Sequence, residues 1–339
     1  MRDIIKFIGF LLFGIFYNNN NNLNLYKYEN SNTIVNSHII NLDLPPFERW
    51  KNIMNLYDTP VKKALNTIKK KSFIFTPFIN RLKQNIKEGG GWSQENIEEM
   101  QGIANYTNTD YGLIETVNLF YEWSPGCTSI IAQKYDNSTI IHARNYDMAL
   151  PILSEILLNL VFIKNGRILY KGNGFAGYIG LTTAMRPGRF SISSNSRFQG
   201  SGYFGKYNFF EKFNYFESKK SAKAGGKPIG VFVIDWVKYN NRFTDVINIL
   251  KKQILINVAY YTIAGVNYNE GAIVTRNRFG VDNSYGENNG IWKLNASTNW
   301  WRLITNFDHW WIAFDRRRSV ANKQMEKIGF KNITLNIWI

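Results

Sequence analysis

Cys127 is the only cysteine in the 339-residue chain, and its neighbours are of types that could make it reactive. It opens a β-branched run that reads Cys-Thr-Ser-Ile-Ile-Ala-Gln. A second apolar run follows a short polar turn and ends in Arg144-Asn145-Tyr146-Asp147. A thiol reacts as its thiolate, and a nearby cation favours that form. The hairpin therefore predicts a nucleophile, Cys127, with Arg144 and Asp147 as its charged partners.

Two groups could act as the base for this thiol. His142 stands two residues before Arg144, so both side chains share one face of the predicted strand. Alternatively, a cut of the chain before Cys127 would free its α-amine, which can act as a base near neutral pH. Pro125-Gly126 is expected to form a turn between helix and strand, which suits such a cut. The alternative without chemistry is a cysteine buried as a small hydrophobic residue.

The composition indicates a folded and strongly basic protein. Apolar residues make up 45% and aromatic residues 16%, which favours packed layers over a disordered chain. The formal net charge of +16 favours anionic partners. The densest basic clusters are residues 69–71 and 316–318. No RNP-like aromatic pattern or Cys/His finger accompanies them, so we predict no nucleic-acid partner.

The first 37 residues differ in composition from the rest of the chain. Residues 1–17 join a short charged start to an apolar run, which predicts a signal peptide. An N-terminal anchor and a buried segment are the alternatives. Residues 18–37 are rich in Asn and predict a disordered spacer. Glycosylation sequons, which are compatible with the secretory route, begin at Asn105, Asn137, Asn295 and Asn332.

A helical first third precedes a region rich in hairpins, which indicates an α+β fold. Helical spacing predicts helices, with a break or kink at Pro60, over residues 47–58, 61–70, 93–103, 111–122 and 244–252. Alternating and β-branched runs predict strands over 127–134, 139–145, 190–195, 258–264 and 271–276. Asn165-Gly166 predicts a type I′ hairpin turn. Residues 217–228 are rich in Lys, Ser, Ala and Gly and are expected to form an inserted loop.

The two runs of the Cys127 hairpin resemble the nucleophile segment of the acid ceramidase and N-acylethanolamine-hydrolysing acid amidase family. Members of this family are N-terminal-nucleophile hydrolases related to choloylglycine hydrolases. Further segments resemble the family in the same order along the chain, over residues 41–50, 174–181, 270–276, 305–310 and 315–319. The resemblance covers roughly residues 38–337.

The resemblance implies an αββα sandwich preceded by a small helical subunit, and a precursor that cuts itself before Cys127. The small helical subunit, labelled alpha here, would be residues 38–126. The catalytic subunit, labelled beta, would be residues 127–339, and we expect it to be truncated at its C-terminus. After cleavage at Gly126-Cys127 the two subunits could associate only non-covalently, since no second cysteine exists.

The resemblance also assigns roles to five residues. Cys127 would be the nucleophile, with its freed amine as proton carrier, and Arg144 would favour the thiolate. Asp147 would hold the α-ammonium group. The side-chain amide of Asn306 would stabilise the oxyanion, and Arg317 would be a second arginine near the site. No metal and no cofactor are implied.

The implied activity is hydrolysis of a fatty-acid amide in a lipid. We expect it to be ceramidase-like, releasing sphingosine and a fatty acid from N-acylsphingosine, with N-acylethanolamine hydrolysis as the alternative. An alternative of another class is an inactive relative that binds lipid or membrane. The expected partners are the lipid amide and an anionic membrane surface, and the expected location is the lysosome or the cell exterior.

Overall fold

The computed structural model describes residues 35–73, 76–123, 126–147, 150–197, 199–200, 207–208, 215–240, 242–283, 290–309 and 315–333. The α-helices in these ranges are α1 (Lys51–Ser72), α2 (Thr76–Gly89), α3 (Gln94–Tyr106), α4 (Tyr111–Asn118), α5 (Tyr215–Lys223), α6 (Ile229–Tyr239), α7 (Phe243–Lys252) and α8 (Arg316–Ile328). The strands are β1 (Ser37–Asn41), β2 (Cys127–Gln133), β3 (Ile140–Tyr146), β4 (Leu157–Lys164), β5 (Arg167–Phe175), β6 (Thr183–Arg186), β7 (Phe190–Ser196), β8 (Gln199–Gly200), β9 (Tyr207–Asn208), β10 (Ala259–Gly265), β11 (Gly271–Arg276), β12 (Ile291–Lys293) and β13 (Trp301–Ile304).

Two sheets face each other and carry helices on their outer sides. The larger sheet has the strand order β1-β4-β5-β6-β7-β10-β11-β12, and the smaller has the order β13-β2-β3. Strand β2 packs against β7 and β10 of the larger sheet. Helices α6 and α7 cover the outer side of the larger sheet, and α8 covers the smaller. This is an α+β fold with an αββα sandwich, which confirms the predicted fold class.

Alternate residues of the β2–β3 hairpin point to two faces, one packed against α8 and the other directed toward the larger sheet. Ile130 and Ile141 point to one face, where they pack with Met325 of α8. Successive strand residues point to opposite faces, so Cys127 and Arg144 point toward the larger sheet. Cys127 pairs with Tyr146 in the antiparallel register, which makes Arg144 its diagonal neighbour on the same face.

The helical first third packs with the larger sheet in one apolar core. Helix α1 runs through Pro60 and has its one non-helical residue at Tyr57, with φ −109° and ψ 18°. A proline removes one helical hydrogen bond and presses on the turn before it, so the predicted kink is confirmed. Ser93 caps α3 by accepting the N–H of Asn96 at 3.2 Å, at the start of the helix predicted over 93–103.

Other local predictions had mixed outcomes. The Asn165-Gly166 turn is confirmed, since both residues have positive φ, 49° and 70°. The predicted loop over 217–228 is wrong in its first half, because α5 occupies Tyr215–Lys223. Ser221 and Ala222 are fully buried there. A Cβ on Gly89 would lie 2.0 Å from the Ala222 carbonyl oxygen, so small residues permit a close approach of α2 and α5.

The predicted signal peptide and residues 18–34 of the predicted spacer lie outside the described residues. Regular structure begins at Ser37, the last residue of the predicted spacer, because β1 pairs in parallel with β4 from Ser37 onward. Among the described helices, none combines the length and the hydrophobicity that a bilayer crossing requires.

Candidate active site

Cys127 is the first residue of β2, and only 1% of it is exposed. Its sulfur accepts a hydrogen bond from Nη2 of Arg144 at 3.1 Å. The hydroxyl of Tyr121 lies 3.8 Å from the same sulfur. The backbone nitrogen of Cys127 donates to Oδ1 of Asn306 at 2.9 Å. Both the sulfur and the nitrogen of this residue therefore have defined polar partners in the interior.

The guanidinium of Arg144 is fixed by a set of interior acceptors. Nη1 donates to the hydroxyls of Thr182 and Thr183 at 3.0 and 2.9 Å. Nη2 donates to the Ser194 carbonyl at 2.7 Å. Burial by itself would lower the pKa of Arg144, but its interactions with Cys127 and nearby tyrosines outweigh that effect and raise the pKa. The cation is therefore held in one position beside the sulfur.

A second arginine joins the other end of the site. Nη1 of Arg317 donates to the Asp147 carboxylate at 2.7 Å, and Nη2 donates to Oδ1 of Asn306 at 2.9 Å. Asp315 caps α8 by accepting the N–H of Arg317, which places this arginine in the first turn of the helix. Burial opposes the charge of Arg317, but Asp315 and Asp147 together raise its pKa.

The structure thus brings the five residues predicted from the sequence, Cys127, Arg144, Asp147, Asn306 and Arg317, into one network. Two contacts differ from those that the resemblance implies. The carboxylate of Asp147 bonds to Arg317, whereas the Cys127 nitrogen bonds to the oxygen of Asn306. The amide nitrogen of Asn306 donates to the Ser196 carbonyl at 2.7 Å. The individual catalytic roles remain predictions.

Gly126 is required by the geometry of the peptide before Cys127. Its φ of +100° is one that residues with a side chain rarely adopt. A Cβ at this position would lie 2.7 Å from the Asp147 carbonyl oxygen. The backbone N–H of Asp147 donates to the Gly126 carbonyl at 2.8 Å. The Gly126-Cys127 peptide is therefore held across the end of the hairpin with its oxygen hydrogen-bonded.

His142 shares the face of Arg144, as predicted, but its hydrogen bonds go to serines. Its Nδ1 and Nε2 lie 2.8 and 2.9 Å from the hydroxyls of Ser191 and Ser193. Burial, with a smaller contribution from Arg144, lowers the pKa of His142 to about 4. The geometry therefore gives no support to a Cys127–His142 pair and makes His142 part of the polar layer between the sheets.

Tyr121 is a site residue that our sequence analysis missed. Its hydroxyl accepts from Nη2 of Arg144 at 3.1 Å and donates to the Ser194 carbonyl. Its ring stacks on Tyr146, with centres 5.9 Å apart. Burial, followed by the effect of Cys127, raises the pKa of Tyr121 well above its usual value, so the hydroxyl stays neutral. A tyrosine near the end of an apolar helix carries no local signal of such a role.

An apolar cavity borders this network. It is narrow, with a volume of about 30 Å³. Its lining residues are Val61, Ala64, Leu65, Ile68, Val117, Phe120, Tyr121, Tyr146, Leu153, Ile156, Phe175, Ala176 and Tyr178. Tyr121 and Tyr146 belong both to this lining and to the surroundings of Arg144. In the described part of the chain, no three His, Cys, Asp or Glu side chains converge as metal ligands would.

Comparison with known proteins agrees with this architecture. Residues 33–86 match a family model described as the beta subunit of N-acylethanolamine-hydrolyzing acid amidase. These residues lie mostly within the small subunit, residues 38–126, which we labelled alpha. The family model therefore uses the name beta subunit for the segment before Cys127. The chain is 31% identical to the N-acylethanolamine-hydrolyzing acid amidase of Caenorhabditis elegans over 308 residues, which cover 86% of this chain and 80% of that protein.

Acid ceramidases are equally similar. Human acid ceramidase is 30% identical over 319 residues, covering 87% of this chain and 76% of the relative. A solved structure of the Caenorhabditis elegans N-acylethanolamine-hydrolyzing acid amidase ortholog superposes with a TM-score of 0.52 at 29% identity, over 62% of this chain and 82% of that one. The fold is that of an N-terminal-nucleophile hydrolase. The chain belongs to the acid ceramidase and N-acylethanolamine-hydrolysing acid amidase family, whose named members are amidohydrolases that act on linear amides.

We expect His142 to make the folded chain sensitive to acid. Its pKa of about 4 in the fold lies below its ordinary value of 6.5. Between these values the unfolded chain binds a proton that the folded chain does not. The contribution of His142 to the free energy of unfolding is therefore fully present above about pH 6.5. It is lost as the pH falls toward 4, by up to ~3 kcal/mol. Urea unfolding across this range should show a smaller loss of unfolding free energy in His142→Gln than in the wild type.

The matched control is His38→Gln. His38 lies on β1, away from the polar layer, and is hydrogen-bonded to Tyr57 of α1. This variant should keep the wild-type loss of stability. Burial and three nearby arginines lower the pKa of His309 to about 4. This second histidine accounts for a residual loss of stability in both variants. An equal pH dependence in His142→Gln and the wild type would contradict the assignment.

Proposed function

We propose that this chain hydrolyses the amide bond of a fatty-acid amide, with Cys127 as nucleophile after a cut of the Gly126-Cys127 peptide. The observation that carries the proposal is the contact of 3.1 Å between the Cys127 sulfur and Arg144, beside an apolar cavity. A guanidinium favours the thiolate. The lining of the cavity matches the chemistry of an acyl chain, and its volume of about 30 Å³ would have to increase to hold one. Family membership supports the reaction class.

The cut would proceed by attack of the Cys127 thiolate on the carbonyl carbon of Gly126. The carbon–nitrogen bond breaks, and the nitrogen of Cys127 takes up a proton and becomes the free α-amine. Water then hydrolyses the thioester and leaves Gly126 as a carboxylate. The Asp147 N–H, 2.8 Å from the Gly126 oxygen, is placed to stabilise the negative charge that develops on that atom.

Turnover would use the same sulfur and the freed amine. The thiolate adds to the substrate carbonyl, the α-ammonium protonates the leaving amine, and water hydrolyses the acyl-thioester. The nitrogen of Cys127 already bonds to Oδ1 of Asn306, which Arg317 also holds. An amine at this position would keep that acceptor, so its lone pair could be directed toward the reacting atoms.

The substrate we propose first is N-acylsphingosine, and the second is N-acylethanolamine. The acyl chain would lie in the apolar cavity, whose walls come from both sides of the proposed cut: Val61 and Leu65 on one side, Phe175 and Tyr178 on the other. Relatives with each substrate name match at nearly the same identity, which supports the shared acyl-amide chemistry. Parallel assays with both amides at acidic pH distinguish the two substrates.

We further propose that the chain enters the secretory route and acts in the lysosome or outside the cell. The apolar residues 1–17 support this. The sequon asparagines Asn105, Asn137, Asn295 and Asn332 are all exposed, so glycans there would not disturb the fold. Protein expressed in eukaryotic cells should lose mass on treatment with an N-glycosidase. An unchanged mass, with residues 1–17 still attached, would contradict this location.

Replacement of Cys127 by Ala should abolish both the cut and the turnover, because no other thiol exists in the chain. Intact mass and N-terminal sequencing at acidic pH should show a fragment beginning Cys-Thr-Ser-Ile in the wild type and one uncut chain in Cys127→Ala. Cys127→Ser is the control, and it should be cut slowly because a hydroxyl is a weaker nucleophile. Wild-type turnover by Cys127→Ala would contradict the mechanism.

Replacement of Tyr121 by Phe should lower kcat about tenfold and change KM little. The variant keeps the ring but loses the hydroxyl that orients Arg144, a loss of about one interior hydrogen bond. Tyr170→Phe is the control, because it removes a buried tyrosine hydroxyl on β5, outside the Arg144 network. Steady-state kinetics on a soluble amide measure both. A kcat of Tyr121→Phe equal to that of Tyr170→Phe would contradict the positioning role.

A further inference from the structure

The last residues of β7 bind the segment that follows β13 and carries Asn306. The side-chain amide of Asn195 donates to the carbonyls of Ile304 and Thr305 at 3.2 and 3.1 Å. The next residue, Ser196, contributes its carbonyl, which accepts from the amide nitrogen of Asn306 at 2.7 Å. All of these residues are fully buried. Strand β7 therefore holds both the backbone before Asn306 and the side chain of Asn306 itself.

Arg197, the residue directly after β7, continues this contact with an ion pair. Its Nε donates to Oδ1 of Asp308 at 2.7 Å, and its Nη2 donates to Oδ2 of the same carboxylate at 3.0 Å. Asp308 stands two residues beyond Asn306, and both members of the ion pair are buried. A two-point bond of this kind fixes the relative orientation of the two planar groups as well as their distance. The ion pair therefore holds the segment on the far side of Asn306.

Arg197 also has a carboxylate partner outside this segment. Its Nη2 donates to Oδ2 of Asp282 at 2.6 Å, and its Nη1 donates to Oδ1 of Asn277 at 2.8 Å. Asp282 is buried to the same degree as Asp308. Burial by itself would lower the pKa of Arg197, but Tyr260 and the two carboxylates raise it, so the cation persists in the interior. One buried cation thus binds two acids, of which only Asp308 belongs to the segment that carries Asn306.

A second arginine, Arg318 of α8, binds the backbone of the same segment. Its Nη1 donates to the Asp308 carbonyl at 3.0 Å. Its Nη2 donates to the Thr305 hydroxyl at 3.2 Å and to the Phe307 carbonyl. These bonds reach residues on both sides of Asn306, but none of them reaches a carboxylate. The side chain of Asp308 is therefore the point at which β7 controls the end of the segment.

The position of Asn306 matters because its side-chain oxygen faces the reacting residue. Oδ1 accepts from the nitrogen of Cys127 at 2.9 Å and from Nη2 of Arg317 at 2.9 Å. A shift of about 1 Å would take either bond outside the range of a hydrogen bond. A misplacement of that size can lower the rate of an enzyme by about a hundredfold. The contacts that fix this segment are therefore candidates for control of the reaction.

We propose that Arg197 and Asp308 are positioning residues for the reaction at Cys127. Their ion pair holds Asn306 where its oxygen accepts the N–H of Cys127 before the cut and binds the freed amine after it. The catalytic half of this inference rests on the proposed function. The geometric half, which is the placement of Asn306 by the ion pair, does not require catalysis.

The test compares Asp308→Asn with the matched control Asp282→Asn. Each variant removes one buried negative charge and leaves Arg197 with one carboxylate, so the change in charge is the same in both. Urea unfolding of the two variants identifies conditions in which both are folded. There, Asp308→Asn should lower kcat and the rate of the cut at least about tenfold, with little change in KM. Asp282→Asn should keep both rates within about threefold of the wild type.

Arg197→Lys gives a second readout, which also applies if Asp308→Asn does not fold. Lysine keeps the charge but replaces the planar guanidinium with a compact ammonium, which cannot form the two-point bond. We therefore expect a loss of kcat similar to that of Asp308→Asn. The double variant Arg197→Lys/Asp308→Asn should be no slower than the slower single variant, because both changes remove the same bond. Losses that multiply in the double variant would contradict a shared positioning role.

Equal values of kcat in Asp308→Asn and Asp282→Asn would overturn the catalytic half. If the wild type shows neither the cut nor turnover, the proposed function fails, and crystal structures of the two variants then decide the geometric half. The distance from Oδ1 of Asn306 to the nitrogen of Cys127 should increase by more than about 0.5 Å in Asp308→Asn and by less in Asp282→Asn. An unchanged distance in Asp308→Asn would overturn the placement of Asn306 by the ion pair.

Discussion

The partly buried guanidinium of Arg144 is the constraint on which the site depends. A charge inside a protein that lacks hydrogen-bond acceptors costs several kcal/mol. In the described part of the chain both terminal nitrogens of Arg144 have acceptors, whereas its Nε has none. The surrounding acceptors are two threonine hydroxyls, a serine carbonyl, a tyrosine hydroxyl and the sulfur of Cys127. They come from both sheets and from the helical first third. Displacing any of these elements would leave the cation unsatisfied, so the fold and the position of the sulfur are coupled.

The proposed cut would divide these partners between two chains. Tyr121 and the cavity wall from α1 would belong to the small subunit, and Arg144 and Cys127 to the large one. The apolar core shared by the helices and the larger sheet, together with the Tyr121–Arg144 contact, would then hold the two pieces in place without a covalent bond. Each piece alone would lack part of the site, which explains physically why a precursor would fold before it is cut.

Local sequence patterns predicted the features that depend only on neighbouring residues, such as strand faces and tight turns. The period of two along β3 predicted that His142 and Arg144 share one face, and Asn165-Gly166 specified its own turn. The register of β2 against β3, which places Cys127 on that same face, was not predicted. The contact of Cys127 with Asn306 joins residues 179 positions apart, and no local pattern encodes such a distance. Only the resemblance to a family brought Asn306 and Arg317 into the prediction. Helix α5 was missed because its packing depends on Gly89 of another element.

The central claim is tested most directly by a crystal structure of protein that has been purified, held at acidic pH and shown to be active. The account predicts a break between Gly126 and Cys127, with the new α-nitrogen within about 3 Å of the Asn306 oxygen. The sulfur should still bond to Arg144 and face the apolar cavity. A continuous peptide in an active enzyme, or a cut chain whose sulfur has moved away from Arg144, would contradict the account.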